Sequence, residues 1–169
     1  NSPVAVEILD ADEMIVSATT NNGVVTIGAG NTGGGDGLMI NVSNETVAAG
    51  GSVCVDVSVD DFIDIIGSQF TINYDATALS FDNFDGFNLP GLTASNFGNP
   101  SAGTLTFSWT DNTFAGVTVP AGTVIFQACF TATGSDEAVA VTIGNSPVAV
   151  EILDADEMIV SATTNNGVV

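Results

Sequence analysis

Carboxylates are the only charged side chains in this sequence. Asp60, Asp61 and Asp64 fall close together, Asp10, Asp12 and Glu13 form a second cluster, and Asp154, Asp156 and Glu157 repeat it. Oxygen ligands at that density in turn-forming stretches suit a hard cation such as calcium. These clusters are the candidate metal sites, and calcium is the candidate cofactor. The stretch Gly34-Gly35-Asp36-Gly37-Leu38 also resembles half of a calcium-binding Gly-Asp repeat. Each cluster has an alternative reading as solvated turn residues.

Catalysis has little to work with. Without His, Lys or Arg, neither Ser nor Cys has a side-chain base beside it. A pair of carboxylates of the glycosidase type is the one option left, Asp82 with Asp85 or Asp60 with Asp64. Both pairs sit among turn residues, so no catalytic residue is assigned and the chain reads as a non-enzyme. The formal charge of −20 also decides partners. Phosphate neutralisation needs Lys or Arg, which excludes nucleic acid, and anionic membrane surfaces are excluded on the same ground. No apolar run is long enough to span a bilayer.

The elements that position these residues are read from two patterns. The first is a repeat. Residues 1–25 and 145–169 are identical, an offset of 144. Local folding does not require such identity, which marks a tandem array of near-identical domains. A Gly-rich linker follows the first copy, at residues 28–37. Residues 1–27 are therefore expected to be the last strands of a preceding repeat, a donor arm, and 38–169 one complete repeat. On this reading the chain is a window on a longer polymer of domains. The arm is expected to pair with a unit other than the one it precedes.

The second pattern is alternation with period two. Val53, Val55, Val57 and Val59 make one face of a strand, and Phe70, Ile72 and Tyr74 another. Leu105, Phe107 and Trp109 continue the series, with Val124, Phe126, Ala128 and Phe130 after them. About nine short strands separated by Gly, Asn and Asp turns argue for an all-β, two-sheet sandwich. Trp109 is in phase with Leu105 and Phe107 and reads as core. Cys54 and Cys129 are out of phase with the apolar rows and point to the opposite face. They are either a cross-strand disulfide or two separate thiols, and an oxidising compartment favours the bridge. Phe84, Phe87 and Phe97 lie in a long connection, residues 82–102, and are the candidate contact surface.

The runs Val55-Asp-Val-Ser-Val59, Gly67-Ser-Gln-Phe-Thr-Ile-Asn-Tyr-Asp75 and Leu79-Ser-Phe81 resemble the opening of a cohesin domain. So do Gly122-Thr-Val-Ile-Phe-Gln-Ala-Cys-Phe130 and the closing Thr164-Asn-Asn-Gly-Val-Val169. The resemblance implies a nine-stranded, jelly-roll-like β-sandwich on a secreted or cell-surface protein. Near-identical neighbours and the absence of basic residues depart from typical scaffold cohesins. The leading expectation is therefore a structural or adhesive repeat of a giant extracellular bacterial surface protein. Its partners would be neighbouring identical repeats in a filament, stalk or adhesin. The alternative is a binding module that takes a dockerin or a cell-surface glycan.

Overall fold

The computed structural model describes residues 37–134 and 138–169, together with the backbone of two short strands, Ile8–Leu9 (β1) and Ile15–Val16 (β2). The chain divides into two compact units, Asn1–Thr32 and Gly33–Val169. In the first, β1 and β2 pair antiparallel, with Ile8 opposite Val16 and Leu9 opposite Ile15. The other residues of the first copy, Asp10, Asp12 and Glu13 among them, lie outside the described residues.

The second unit is a β-sandwich. Its strands are β3 (Leu38–Val42), β4 (Ser52–Asp60), β5 (Ile65–Tyr74), β6 (Leu79–Asp85), β7 (Phe97–Ser101) and β8 (Thr104–Thr110). They continue with β9 (Thr123–Ala132), β10 (Ala140–Gly144), β11 (Glu151–Asp154), β12 (Ala162–Asn165) and β13 (Gly167–Val168). One sheet has the order β12-β3-β4-β9-β6. The other has the order β13-β10-β5-β8-β7, with β11 also paired to β5. Every pairing is antiparallel except β12 on β3.

The sandwich thus has eleven strands where nine were expected. The surplus comes from two interrupted paths. β10 and β11 lie along the same edge of β5, Gly144 opposite Thr71 and Glu151 opposite Gln69. Residues 145–150 leave the ladder between them, and Pro147 in that stretch has no N–H to donate. The hydroxyl of Thr71 holds the excursion. It donates to the Val148 carbonyl at 2.7 Å and accepts the Val148 N–H at 2.9 Å. The second break is at Asn166, where the chain passes from β12 in one sheet to β13 in the other.

Alternation places the core as expected except at a bulge in β9, where Val124, expected in the inward row, lies opposite the outward Ser58 and Ile125 is buried instead. Val55, Val57 and Val59 on β4 are buried, and between them Cys54, Asp56 and Ser58 face outward. Phe126, Ala128 and Phe130 on β9 meet Phe70, Ile72, Leu105, Phe107 and Trp109 from the other sheet. Each large apolar side chain so enclosed stabilises the fold by about 1.5–3 kcal/mol. Phe126 sits at the centre, its ring 5.0 Å from Phe107 and 4.8 Å from Phe97. Trp109 is buried, and its indole N–H donates to the Pro90 carbonyl at 2.8 Å. Among the described residues no buried side-chain polar atom lacks a partner.

Candidate functional site

The two outer faces of the sandwich differ in charge. On the five-stranded sheet, Asp56, Asp60, Asp82 and Asp85 come to the surface, each beside a neutral donor or a turn amide. Gln127 donates to Asp56 at 2.6 Å, Asn41 to Asp60 at 2.9 Å, Thr131 to Asp82 at 2.8 Å, and the Gly86 N–H to Asp85 at 2.8 Å. Cys54 and Cys129 are directly opposite on β4 and β9 and form a disulfide on this face, with their Cα atoms 3.9 Å apart.

The outer face of the other sheet is almost free of charge. Its outward rows follow from register. Thr142, Asn73 and Thr104 stand abreast, as do Gly144, Thr71 and Thr106, and then Glu151, Gln69 and Ser108. Glu151 is the one carboxylate in these rows. Leu153, Thr106 and Asn73 fill the space over Gly67, Gly98 and Gly144, and Thr71 is buried under the 145–150 excursion, so the open part of this face runs along Thr104, Thr106, Ser108 and Gln69. The sequence predicts this arrangement on β8, where Thr104, Thr106, Ser108 and Thr110 alternate with Leu105, Phe107 and Trp109. The missed signal is the lack of charge at the outward positions of an otherwise acidic chain.

The acidic turns are structural in their contacts. Asp60 accepts the Gly122 N–H at 2.7 Å as well as the Asn41 amide. Asp64, with φ 52°, accepts the Thr118 hydroxyl at 3.1 Å, and Asp61 has φ 51°. Asp154 accepts the N–H groups of Asp156 and Met158 at 3.0 and 2.9 Å, closing the turn that also contains Glu157. Among the described residues no three carboxylate or thiol groups converge as a metal-binding cluster.

Two further turns share one device, an Asp that accepts the N–H and hydroxyl of the Thr two residues on. Asp75 and Thr77 form one; Asp111 and Thr113 form the other. In the first, the Thr77 hydroxyl and N–H hold the Asp75 carboxyl below the usual carboxylate range. Asp111 is buried and also accepts the N–H groups of Ala115 and Gly116 at 3.1 and 3.2 Å. The Thr113 N–H and hydroxyl, with those two amides, hold its carboxyl low against the opposing effect of burial.

Phe84, Phe87 and Phe97 do not form an open platform. They are half-buried and packed against the core, Phe84 and Phe97 stacked with centroids 4.0 Å apart and Phe87 5.6 Å from Phe97. The connection that carries them is partly regular, ending β6 and containing β7 and one 3₁₀ turn, Ala94–Asn96. Stacking across strands turns the rings inward, and spacing along the chain does not reveal it.

A cohesin domain family model matches residues 38–169, from the first residue of β3 onwards. The chain belongs to the cohesin family. Cohesin domains are binding modules. Solved cohesins share the fold. The sixth cohesin of Acetivibrio cellulolyticus scaffoldin B, solved with a mutant Cel5 dockerin, is 24% identical, with a TM-score of 0.66 over 78% of this chain and 96% of that one. A cohesin from Clostridium acetobutylicum is 16% identical, with a TM-score of 0.64 over 78% and 90%. A non-cellulosomal cohesin from the archaeon Archaeoglobus fulgidus is 18% identical, with a TM-score of 0.61 over 78% and 88%. A search of curated proteins finds no match. Among the described residues no helix of this cohesin is long and apolar enough to cross a membrane.

Proposed function

We propose that this cohesin is a binding module of an extracellular assembly, and that it takes a dockerin-type protein partner on the neutral face of β10, β11, β5, β8 and β7. The charge distribution carries the reading. Fifteen carboxylates lie in residues 37–169, and Glu151 alone stands in the outward rows of that face. A protein surface approaching elsewhere meets uncompensated negative charge at closer range, and like charges across an interface cost affinity. The exposed hydroxyls and amides of this face, along Thr104, Thr106, Ser108 and Gln69, can satisfy a partner's polar groups with no ion to desolvate. Similar solved cohesins crystallised with dockerins support the partner class.

Titration calorimetry against a panel of calcium-loaded dockerins tests this. Ser108 is exposed on the face, so Ser108→Arg should keep the melting temperature and weaken binding at least about tenfold, the usual scale for a disrupted interface contact. If no dockerin in the panel binds, or if S108R binds as well as the unaltered chain, the assignment of this face is wrong.

A second reading has its own observation. The identity of residues 1–25 with 145–169 supports a tandem structural repeat of a filament or surface adhesin. The course of the strands agrees with it. β3 and β12 run parallel, so the second unit begins at one end of the sandwich, where Gly37 lies against Ser161, and closes at the other, where Val169 pairs with Val139.

A further inference from the structure

Two segments of this chain have the Asn-X-Ser/Thr spacing of an acceptor for N-linked carbohydrate, Asn41-Val42-Ser43 and Asn44-Glu45-Thr46. Asn99-Pro100-Ser101 is excluded, because proline is not accepted in the middle position. Transfer makes two demands on such a segment. The amide nitrogen must be exposed as the nucleophile, and the hydroxyl two residues on must be open to the transferring enzyme. Residue order gives the two segments equal standing, and the fold separates them. Asn41 lies within β3, opposite Ser58 on β4 and Asn165 on β12. Its Nδ2 donates to Asp60 at 2.9 Å, and its Oδ1 accepts the Asn165 amide at 2.8 Å. The Ser43 hydroxyl donates to Glu45 at 2.8 Å and accepts the Asp56 N–H at 2.9 Å. A sugar on this segment would have to stand where Asp60 and Asn165 already meet Asn41.

Asn44 is the reverse case. It follows β3 in the loop that leads to β4, and both Asn44 and Thr46 are exposed. Its Oδ1 accepts the Val168 N–H at 3.0 Å. Only the oxygen of an amide side chain can meet an N–H, so the nitrogen end of Asn44 is turned away from β13. The Glu45 N–H donates to the Val168 carbonyl at 2.8 Å and holds the loop in that pose. Among the described residues neither the Asn44 Nδ2 nor the Thr46 hydroxyl has a hydrogen-bond partner. We propose that Asn44 is an N-glycosylation site and that the fold withholds Asn41. In the reaction the Asn44 Nδ2 forms a bond to the anomeric carbon of an oligosaccharide carried on a lipid phosphate. The bond from that carbon to the phosphate oxygen breaks, the lipid phosphate leaves with the electron pair, and the nitrogen gives up one proton. The Oδ1 that meets Val168 takes no part, so β13 keeps its contact. Asn44 lies outside the outward rows of the neutral face, and the proposal is independent of what that face binds. It rests on the reading above only for the extracellular setting.

The test is transfer to the full, folded chain. The purified chain, its disulfide intact, is incubated with a lipid-linked oligosaccharide and an oligosaccharyltransferase that acts on Asn-X-Ser/Thr. Intact-mass and glycopeptide mass spectrometry read the product. One glycan per chain is expected, on Asn44. Asn44→Gln and Thr46→Ala should each lose it, while Thr46→Ser and Asn41→Gln should each retain it. Thr46→Ala distinguishes an acceptor from an asparagine that is only structural. It leaves the hydrogen bond between Asn44 and Val168 in place, so the melting temperature should match that of the unaltered chain while transfer is lost. A folded chain that gains no glycan, or gains it on Asn41, would overturn the proposal. Dockerin binding is read separately, by calorimetry on the unglycosylated chain, so failure of the neutral-face assignment and failure of this site are told apart.

Discussion

Two stretches of this molecule have the same sequence, and the described residues place a hairpin in both. In the first copy, Ile8–Leu9 pairs with Ile15–Val16. In the second copy the same hairpin recurs, with Leu153 opposite Ile159 and the Val160 N–H on the Ile152 carbonyl. Only the second copy, among the described residues, goes on to join larger sheets, through β11 on β5, β12 on β3 and β13 on β10. The hairpin is encoded locally, by apolar residues on either side of an Asp-rich turn. Membership of a sheet is supplied by the body. A two-stranded hairpin is at best marginal in water by itself, so the energetic value of these 25 residues lies in what they are packed against.

Substitution should separate the copies most sharply at Ile152, which is buried, and its sequence counterpart Ile8. Ile152→Asp removes a fully buried side chain and leaves a carboxylate without a cation. It should cost about 5 kcal/mol or more, comparable to the whole stability of many domains. Ile8→Asp should leave the melting temperature of the sandwich unchanged. Equal effects in denaturant unfolding would mean that the copies are not distinct in role.

The disulfide belongs to the body and comes next in size. It joins strands 75 residues apart in sequence. Replacing Cys54 and Cys129 by Ser should cost about 4 kcal/mol by loop-closure entropy, and the loss should appear in chemical denaturation under non-reducing conditions. The bridge joins β4 to β9 and touches neither copy. Its effect should therefore add to that of I152D in a milder form such as Ile152→Val, since distant sites are additive.

The smallest effect concerns how the body supports the second copy. Asp111 holds the amides of Ala115 and Gly116, Gly116 lies against the Asp64 backbone, and the Asp64 carbonyl accepts the Ala155 N–H at 2.7 Å. The Asp111 carboxyl is held below its unfolded value. Its contribution is therefore complete above the unfolded value of about 4 and is lost as pH falls through the lower, folded value. Asp111→Asn should flatten that part of the stability-pH profile and leave the neutral-pH profile parallel to that of the unaltered chain. An unchanged acid limb would remove Asp111 from this role.

Some of the architecture was legible in residue order. Alternation along β4, β5 and β8 and from Phe126 onwards in β9 identified the inward rows, the bulge at Ile125 being invisible to spacing, and the phase of Cys54 and Cys129 put both thiols on an outer face. The packing of Phe84, Phe87 and Phe97 was not legible, because Phe84 and Phe97 meet Phe126 on the distant strand β9 and Phe87 stacks on Phe97. The neutral face was only half legible. β8 advertises its hydroxyl row, but the neighbours of that row depend on which strands pair.

By itself the sequence determined the class of chain: strands of period two, an acidic surface without a counter-ion in the chain, and a closing segment present twice. These are one-dimensional properties, set by residue type and spacing. Only the tertiary structure decided which strands are neighbours, which outer face is spared charge, and how the second copy of the closing segment is seated. Those properties depend on contacts between residues far apart in the chain, which spacing along it does not reveal.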